Sequence, residues 1–183
     1  NKPVAPTVIS LGAMDAAEYQ KVVIDHKDRV YGFAAHLLRD REEARDIAQE
    51  ALVRLWQHLD QVPDDASARA WLMRTAHHLC IDKIRQRKGR PEADAETAMD
   101  LLTDNAVSPE QKTSGKQLGG KIAEALQRLT ERDRALVLMR EVHEMSYDEM
   151  AEALAMPLGT LKAALHRARE RCRRELVSAG IQP

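Results

Sequence analysis

The chain has 183 residues, 44% of them hydrophobic and 31% charged, with a formal net charge of −1, which suits one or two small domains with real cores. No run of about 18 apolar residues occurs, and residues 1–11 are too short and polar for a signal peptide, so a soluble cytoplasmic protein is expected. Cys80 and Cys172, both in helical pattern, speak against a disulfide framework and fit a reducing compartment.

Strand-like alternation is absent and apolar residues recur at helical spacing, which predicts an all-α protein of two small helical domains joined by a flexible acidic linker. After a tail at 1–14, a first domain is expected over 15–90. Its opening helix is placed at 15–39 with Val22, Val30, Phe33, Ala34 and Leu37 inward. Asp40 and Glu43 open a second helix to about residue 59, with Ile47, Ala51, Val53, Leu55 and Trp56 as its apolar side. Residues 60–66 hold Pro63 and three acids and read as a surface loop. Ser67 starts a third helix, reaching about residue 88, whose inward stripe is Leu72, Ala76, Leu79 and Cys80; Gly89-Arg90-Pro91 stops it. His77, His78 and Cys80 are close in sequence, but adjacent helical residues point about 100° apart, so no metal site is expected there and no cofactor anywhere.

Residues 91–120 carry a net −4, few large apolar groups, and Pro91, Pro109, Gly115, Gly119 and Gly120, and they read as the linker. Ser108-Pro109-Glu110 is a helix-start signal inside it. The second domain, 121–183, opens with a helix carrying Ile122, Leu126 and Leu129, followed by one capped by Thr130 with Ala135, Leu138, Met139 and Val142 inward.

Residues 146–174 spell a helix-turn-helix. Ser146 and Glu149 form a capping box, since the serine oxygen can accept the Glu149 amide while the glutamate reaches back. Met150, Ala151 and Leu154 give that helix one apolar side. Met156-Pro157-Leu158-Gly159 then breaks it, and Pro157 suits the first position of the next helix because it lacks the N–H that would be orphaned there. In that next helix Leu158, Leu161, Leu165, Ala168 and Cys172 form one inward stripe. The rest of residues 157–174 carries Lys162, Arg167, Arg169, Arg171, Arg173 and Arg174 against Glu170 alone, a net +5. A helix buried on one side and cationic on the other suits a major groove lined with phosphates.

Longer motifs sharpen this into a family resemblance. EARDIAQEALVRLW at 43–56 resembles the region 2 helix by which sigma-70 family factors grip bacterial RNA polymerase. AWLMRTAHHLCID at 70–82, running into KIRQRKGR at 83–90, resembles the helix that opens the minus-10 promoter element. LTERDR at 129–134, SYDEMAEAL at 146–154, PLGTLK at 157–162 and HRAR at 166–169 resemble region 4, which binds the minus-35 element. With only regions 2 and 4 present, the chain resembles the extracytoplasmic-function subfamily.

The resemblance implies roles residue by residue. Asp46, Gln49, Glu50 and Leu52 would meet core RNA polymerase, polar residues flanking an apolar centre making a specific interface. Trp71, Arg74, His78 and Arg85 share a stripe opposite the core stripe, and with Arg87 and Lys88 they would hold minus-10 DNA by stacking and phosphate contact. Trp71 also reads as a core residue, and His78 stands where many relatives have Asn. Thr160, Lys162, Ala163, His166, Arg167, Arg169 and Arg173 would face minus-35 DNA. Ala163-Ala164 replaces a frequent Ser-Arg pair, and alanine cannot read a base edge by hydrogen bonds. The implied partners are core polymerase, promoter DNA and an anti-sigma protein. No phosphate-binding glycine loop, activated nucleophile or metal-spaced cluster points to an enzyme. A dimeric helix-turn-helix regulator acting without polymerase is the alternative; it leaves the basic end of the third helix without a task.

Overall fold

The computed structural model describes residues 14–88 and 109–181, the side chains of 109–116 excepted. The described residues are helical, with no strand: α1 (Ala16–Leu38), α2 (Arg41–Gln57), a 3-10 turn (Leu59–Gln61), α3 (Asp65–Lys88), α4 (Pro109–Gln127), α5 (Glu131–Val137) running into a π-helical turn (Leu138–Val142), α6 (Tyr147–Ala153) and α7 (Leu158–Ser178).

Local chemistry sets the boundaries. Asp15 and Glu18 close a capping box on α1, and Arg39 ends it in the left-handed region at φ 58°. Asp40 caps α2 by accepting the Glu43 amide. The third helix starts at Asp65 rather than Ser67, because the Asp64 carboxylate accepts the Ser67 amide at 2.7 Å. Residues 109–120, expected within the linker, are helical and continuous with the helix that follows. The Gly89-Arg90-Pro91 stop lies outside the described residues.

α1, α2 and α3 pack around Phe33, Leu37, Leu55, Leu72 and Met73, all fully buried. Tyr19 Oη donates to the Leu52 carbonyl at 2.9 Å, joining α1 to α2, and His26 Nε2 meets Asp65 Oδ1 at 2.9 Å, joining α1 to the start of α3. The α2 stripe is Ala44, Ile47, Ala48, Ala51 and Leu55; Val53 and Trp56, expected inward, are 51% and 50% exposed. They lie off the 3.6-residue stripe, and the Trp56 ring rests edge-on against Tyr19 instead, at 4.9 Å. Leu79, expected inward on α3, is only half-buried.

In the second unit α5, α6 and α7 enclose Leu136, Leu138, Met139, Met145, Met150, Leu161 and Leu165. Val142, expected inward four residues after Leu138, is exposed, because the π-helical turn adds a residue and rotates it out. Leu158 is exposed as well; it occupies the first turn of α7, before the helix meets its neighbours, and Ala164 joins Leu161, Leu165, Ala168 and Cys172 on the buried side. The two units share one continuous core and meet where α3 packs on α6 and α1 on α5 and the π turn.

Candidate nucleic-acid interface

The helix-turn-helix forms as its residues dictate. Ser146 and Glu149 make the reciprocal capping box, with the Ser146 amide donating to Glu149 Oε2 at 2.7 Å. The turn rests on Ala155, at φ 49°, and Pro157 is the cap residue of α7 rather than its first helical position. α7 presents Thr160, Lys162, Ala163, His166, Arg167 and Arg173 to solvent. Arg169 is half-buried and committed: its guanidinium reaches Glu141 at 2.6 Å and the Tyr147 hydroxyl at 3.5 Å, and the Glu141 bond raises its pKa. Arg171 is held by the buried Asp133 at 2.6 Å. Arg173 stands at the rim of a cleft of about 390 Å³ lined by Val137, Cys172, Leu176, Val177 and Ile181. The free cations of the recognition face are therefore fewer than its formal charge suggests.

Sequence reasoning missed Tyr147. Its ring lies 5.2 Å from the Arg140 guanidinium and 5.9 Å from Lys162 Nζ, so it supports two cations beside the exposed face. Nothing in the local pattern distinguished it from an ordinary helix residue, since these contacts join separate elements.

On α3 the stripe Trp71, Arg74, His78 and Arg85 lies opposite the buried Leu72, Ala76 and Cys80. Arg74, His78 and Arg85 are exposed; Trp71 is half-buried and packed against the core, with its ring 5.8 Å from His58. Arg85 has only a 3.8 Å approach to Asp82. Arg87 departs from the stripe: it donates to the Leu38 carbonyl at 2.8 Å and pairs with Glu43 and Asp40, closing the end of α1 against α2 and α3. Lys88 pairs with Glu131 of the second unit at 2.8 Å. Next to the stripe His77 is largely buried, and desolvation together with neighbouring His78 holds its pKa down at about 4. Burial pushes the Cys80 thiol up to about 12, leaving it an inert core group.

On α2, Asp46, Gln49 and Glu50 are exposed along one face, Glu50 bonded to Arg54 at 2.7 Å, and Leu52 is half-buried beneath them. Val53 and Trp56 extend this face with apolar surface. No helix is long and apolar enough to cross a membrane among the described residues, and no cluster of metal-binding side chains occurs among them.

Comparison with known protein families matches both units. Residues 22–90 match the model of Sigma-70 region 2 and residues 119–172 that of Sigma-70 region 4. The chain is similar to the ECF RNA polymerase sigma factor SigW of Bacillus subtilis, at 31% identity over 92% of each chain. It is also similar to SigL of Mycobacterium tuberculosis, at 30% identity over 95% of this chain and 97% of that one. Its fold is that of the sigma factor RpoE of Bartonella quintana, solved with the anti-sigma factor NepR, with a TM-score of 0.70 and 19% identity over 88% of this chain and 98% of the other.

Proposed function

The chain belongs to the sigma-70 family, among the extracytoplasmic-function sigma factors, and from that premise we propose how its surfaces divide the work of an alternative sigma factor. The first unit holds core RNA polymerase through Asp46, Gln49, Glu50 and Leu52. The α3 stripe of Trp71, Arg74, His78 and Arg85 takes the melted minus-10 strand, stacking supplied by Trp71 and backbone contact by the arginines. α7 lies in the major groove of the minus-35 element, with Thr160, Ala163 and His166 toward the bases and Lys162, Arg167 and Arg173 toward phosphates. Arg169, expected at the DNA, instead braces the helix through Glu141. The protein acts by binding, in the cytoplasm, with no reaction of its own, and an anti-sigma protein that covers these surfaces would silence it.

The observation that supports this reading best is the pairing of two cationic, solvent-facing surfaces on separate units, α3 and α7, with a polar face on α2 that neither DNA surface uses. A dimeric regulator needs only α7. Added to core polymerase, the chain is expected to initiate from a cognate promoter, and Asp46→Ala with Gln49→Ala to weaken core association while leaving the helical content unchanged. Tight sequence-specific DNA binding by a free dimer, with no effect of core enzyme, would refute it.

A further inference from the structure

An aromatic pair ties the end of α2 to the early turns of α3. His58 caps α2 at its C-terminus, and its ring lies 5.8 Å from that of Trp71 with 34° between the planes, within the attractive range for offset rings. Trp71 is half-buried against the core, so part of its indole is left to solvent. His58 is fixed where it stands. Its amide donates to the Leu55 carbonyl at 3.0 Å, and its own carbonyl accepts from the Gln61 amide at 3.0 Å. Its ring nitrogen Nδ1 is 2.8 Å from the Arg54 carbonyl. Because a carbonyl only accepts, Nδ1 carries the proton, and this bond sets both the tautomer and the direction of the ring.

Capping alone does not account for this arrangement. The last carbonyls of a helix need donors, and a short amide side chain would supply one without laying a ring on an indole. What the ring adds is restraint. A side chain that must be ordered when its ligand arrives gives back part of the contact as lost entropy, so a stacking surface works best when its orientation is set beforehand. Trp71 opens the outward stripe of α3, and Arg74, one turn further on, is exposed with no side-chain partner among the described residues.

We infer that His58 is a positioning residue for base capture: it clamps the Trp71 indole against the core, so that the two rings offer a preset surface to a base drawn from the promoter duplex, with Arg74 beside it for the backbone. His58 lies outside the 43–56 and 70–82 motifs that carry the family resemblance. For its target this assignment rests on the sigma-factor reading; for the clamp it rests on ring geometry alone.

Two replacements separate the ring from the cap. His58→Asn keeps a side-chain donor for the Arg54 carbonyl and removes the ring, whereas His58→Phe keeps a ring against Trp71 and removes the donor. In the free full-length chain, with Trp56→Phe leaving Trp71 as the one indole, acrylamide quenching of Trp71 emission should rise in His58→Asn and stay at the parent value in His58→Phe, with helical circular dichroism unchanged. The holoenzyme is then assayed, with Trp56 intact, on a promoter that the wild type selects from a randomised duplex pool. There His58→Asn should lower the permanganate reactivity of unpaired thymines about fivefold at unchanged closed-complex binding, the size of one lost aromatic contact, and His58→Phe should stay within about twofold of wild type. Unchanged or greater melting by His58→Asn, equal losses in the two variants, or quenching that ignores the ring would each overturn the clamp. If His58→Phe loses helix, His58→Tyr takes its place and decides. Failure of the wild type to select any promoter would sink the sigma-factor reading and the base-capture role with it, while the quenching comparison would still show whether His58 holds Trp71.

Discussion

Arg134 of α5 donates to the Leu37 carbonyl of α1 at 3.2 Å, although the two residues lie 97 positions apart. The same guanidinium donates to the carbonyls of Leu126 at 2.8 Å, Gln127 at 2.9 Å and Leu129 at 3.2 Å. The last carbonyls of a helix have no partner within it, so one side chain satisfies the ends of α4 and α1 together. Burial lowers the pKa of Arg134, and its dense set of acceptors is what makes a buried cation tolerable.

Arg134→Ala should therefore destabilise the chain by about 3 kcal/mol or more, because several buried carbonyls lose their donor at once. Arg134→Lys should recover only part of that, since an ammonium cannot match the planar fork. Urea denaturation followed by circular dichroism measures both, and a loss under about 1 kcal/mol for the alanine variant would show that water replaces the guanidinium.

Acid should weaken the fold through two histidines. Burial, with His36, Arg29 and Arg69 nearby, holds His143 at about 4, and burial with His78 holds His77 at about 4. An unfolded histidine titrates near about 6.5. Between these values the unfolded chain binds more protons, so stability declines as pH falls through that window. From pH 7 to pH 5 the decline should be about 2 kcal/mol for each histidine. Urea midpoints across this range should fall, and His77→Gln with His143→Gln should flatten the dependence; a parallel curve in the double variant would place the acid sensitivity elsewhere.

Cations on α7 should separate by whether the fold already uses them. Arg167 is exposed and has no side-chain partner among the described residues, whereas Arg171 is spoken for by Asp133. In holoenzyme binding to a cognate promoter, Arg167→Ala should make the slope of log K against log salt shallower by about one unit. Arg171→Ala should change the slope little and lower thermal stability instead. Equal slope changes in the two variants would mean the Asp133 pair opens on DNA.

His78 is exposed at the middle of the α3 stripe. Extruding a base costs a few kcal/mol, and an imidazole can stack or donate one hydrogen bond where an amide offers donor and acceptor in one plane. His78→Ala should reduce open-complex formation, read by permanganate reactivity of unpaired thymines, more than it reduces closed-complex binding. Unchanged melting would make His78 an ordinary surface histidine.

Where a feature depended on neighbours in sequence, it was legible. The Ser146 and Glu149 capping box, the Asp40 and Thr130 caps, the α1 core stripe and the outward stripe of α3 all follow from spacing along one helix. The exceptions have local physical causes. A π-helical turn displaced Val142, Ala155 took the left-handed turn position, and the start signal at Pro109 carried a helix through glycines that read as linker.

Sequence alone determined the helical class, the two family regions and most of which helix residues face outward, because helical periodicity and capping act over three or four residues. Tertiary structure decided which of the cations are free. Arg87 is spent on Leu38 and Glu43, Arg169 on Glu141, Arg171 on Asp133 and Lys88 on Glu131, partners 28 to 49 residues away. A guanidinium has the same formal charge whether it faces a phosphate or a carboxylate of its own chain; only the packing of α3 on α1 and α2 and of α7 on α5 sets which of the two it meets.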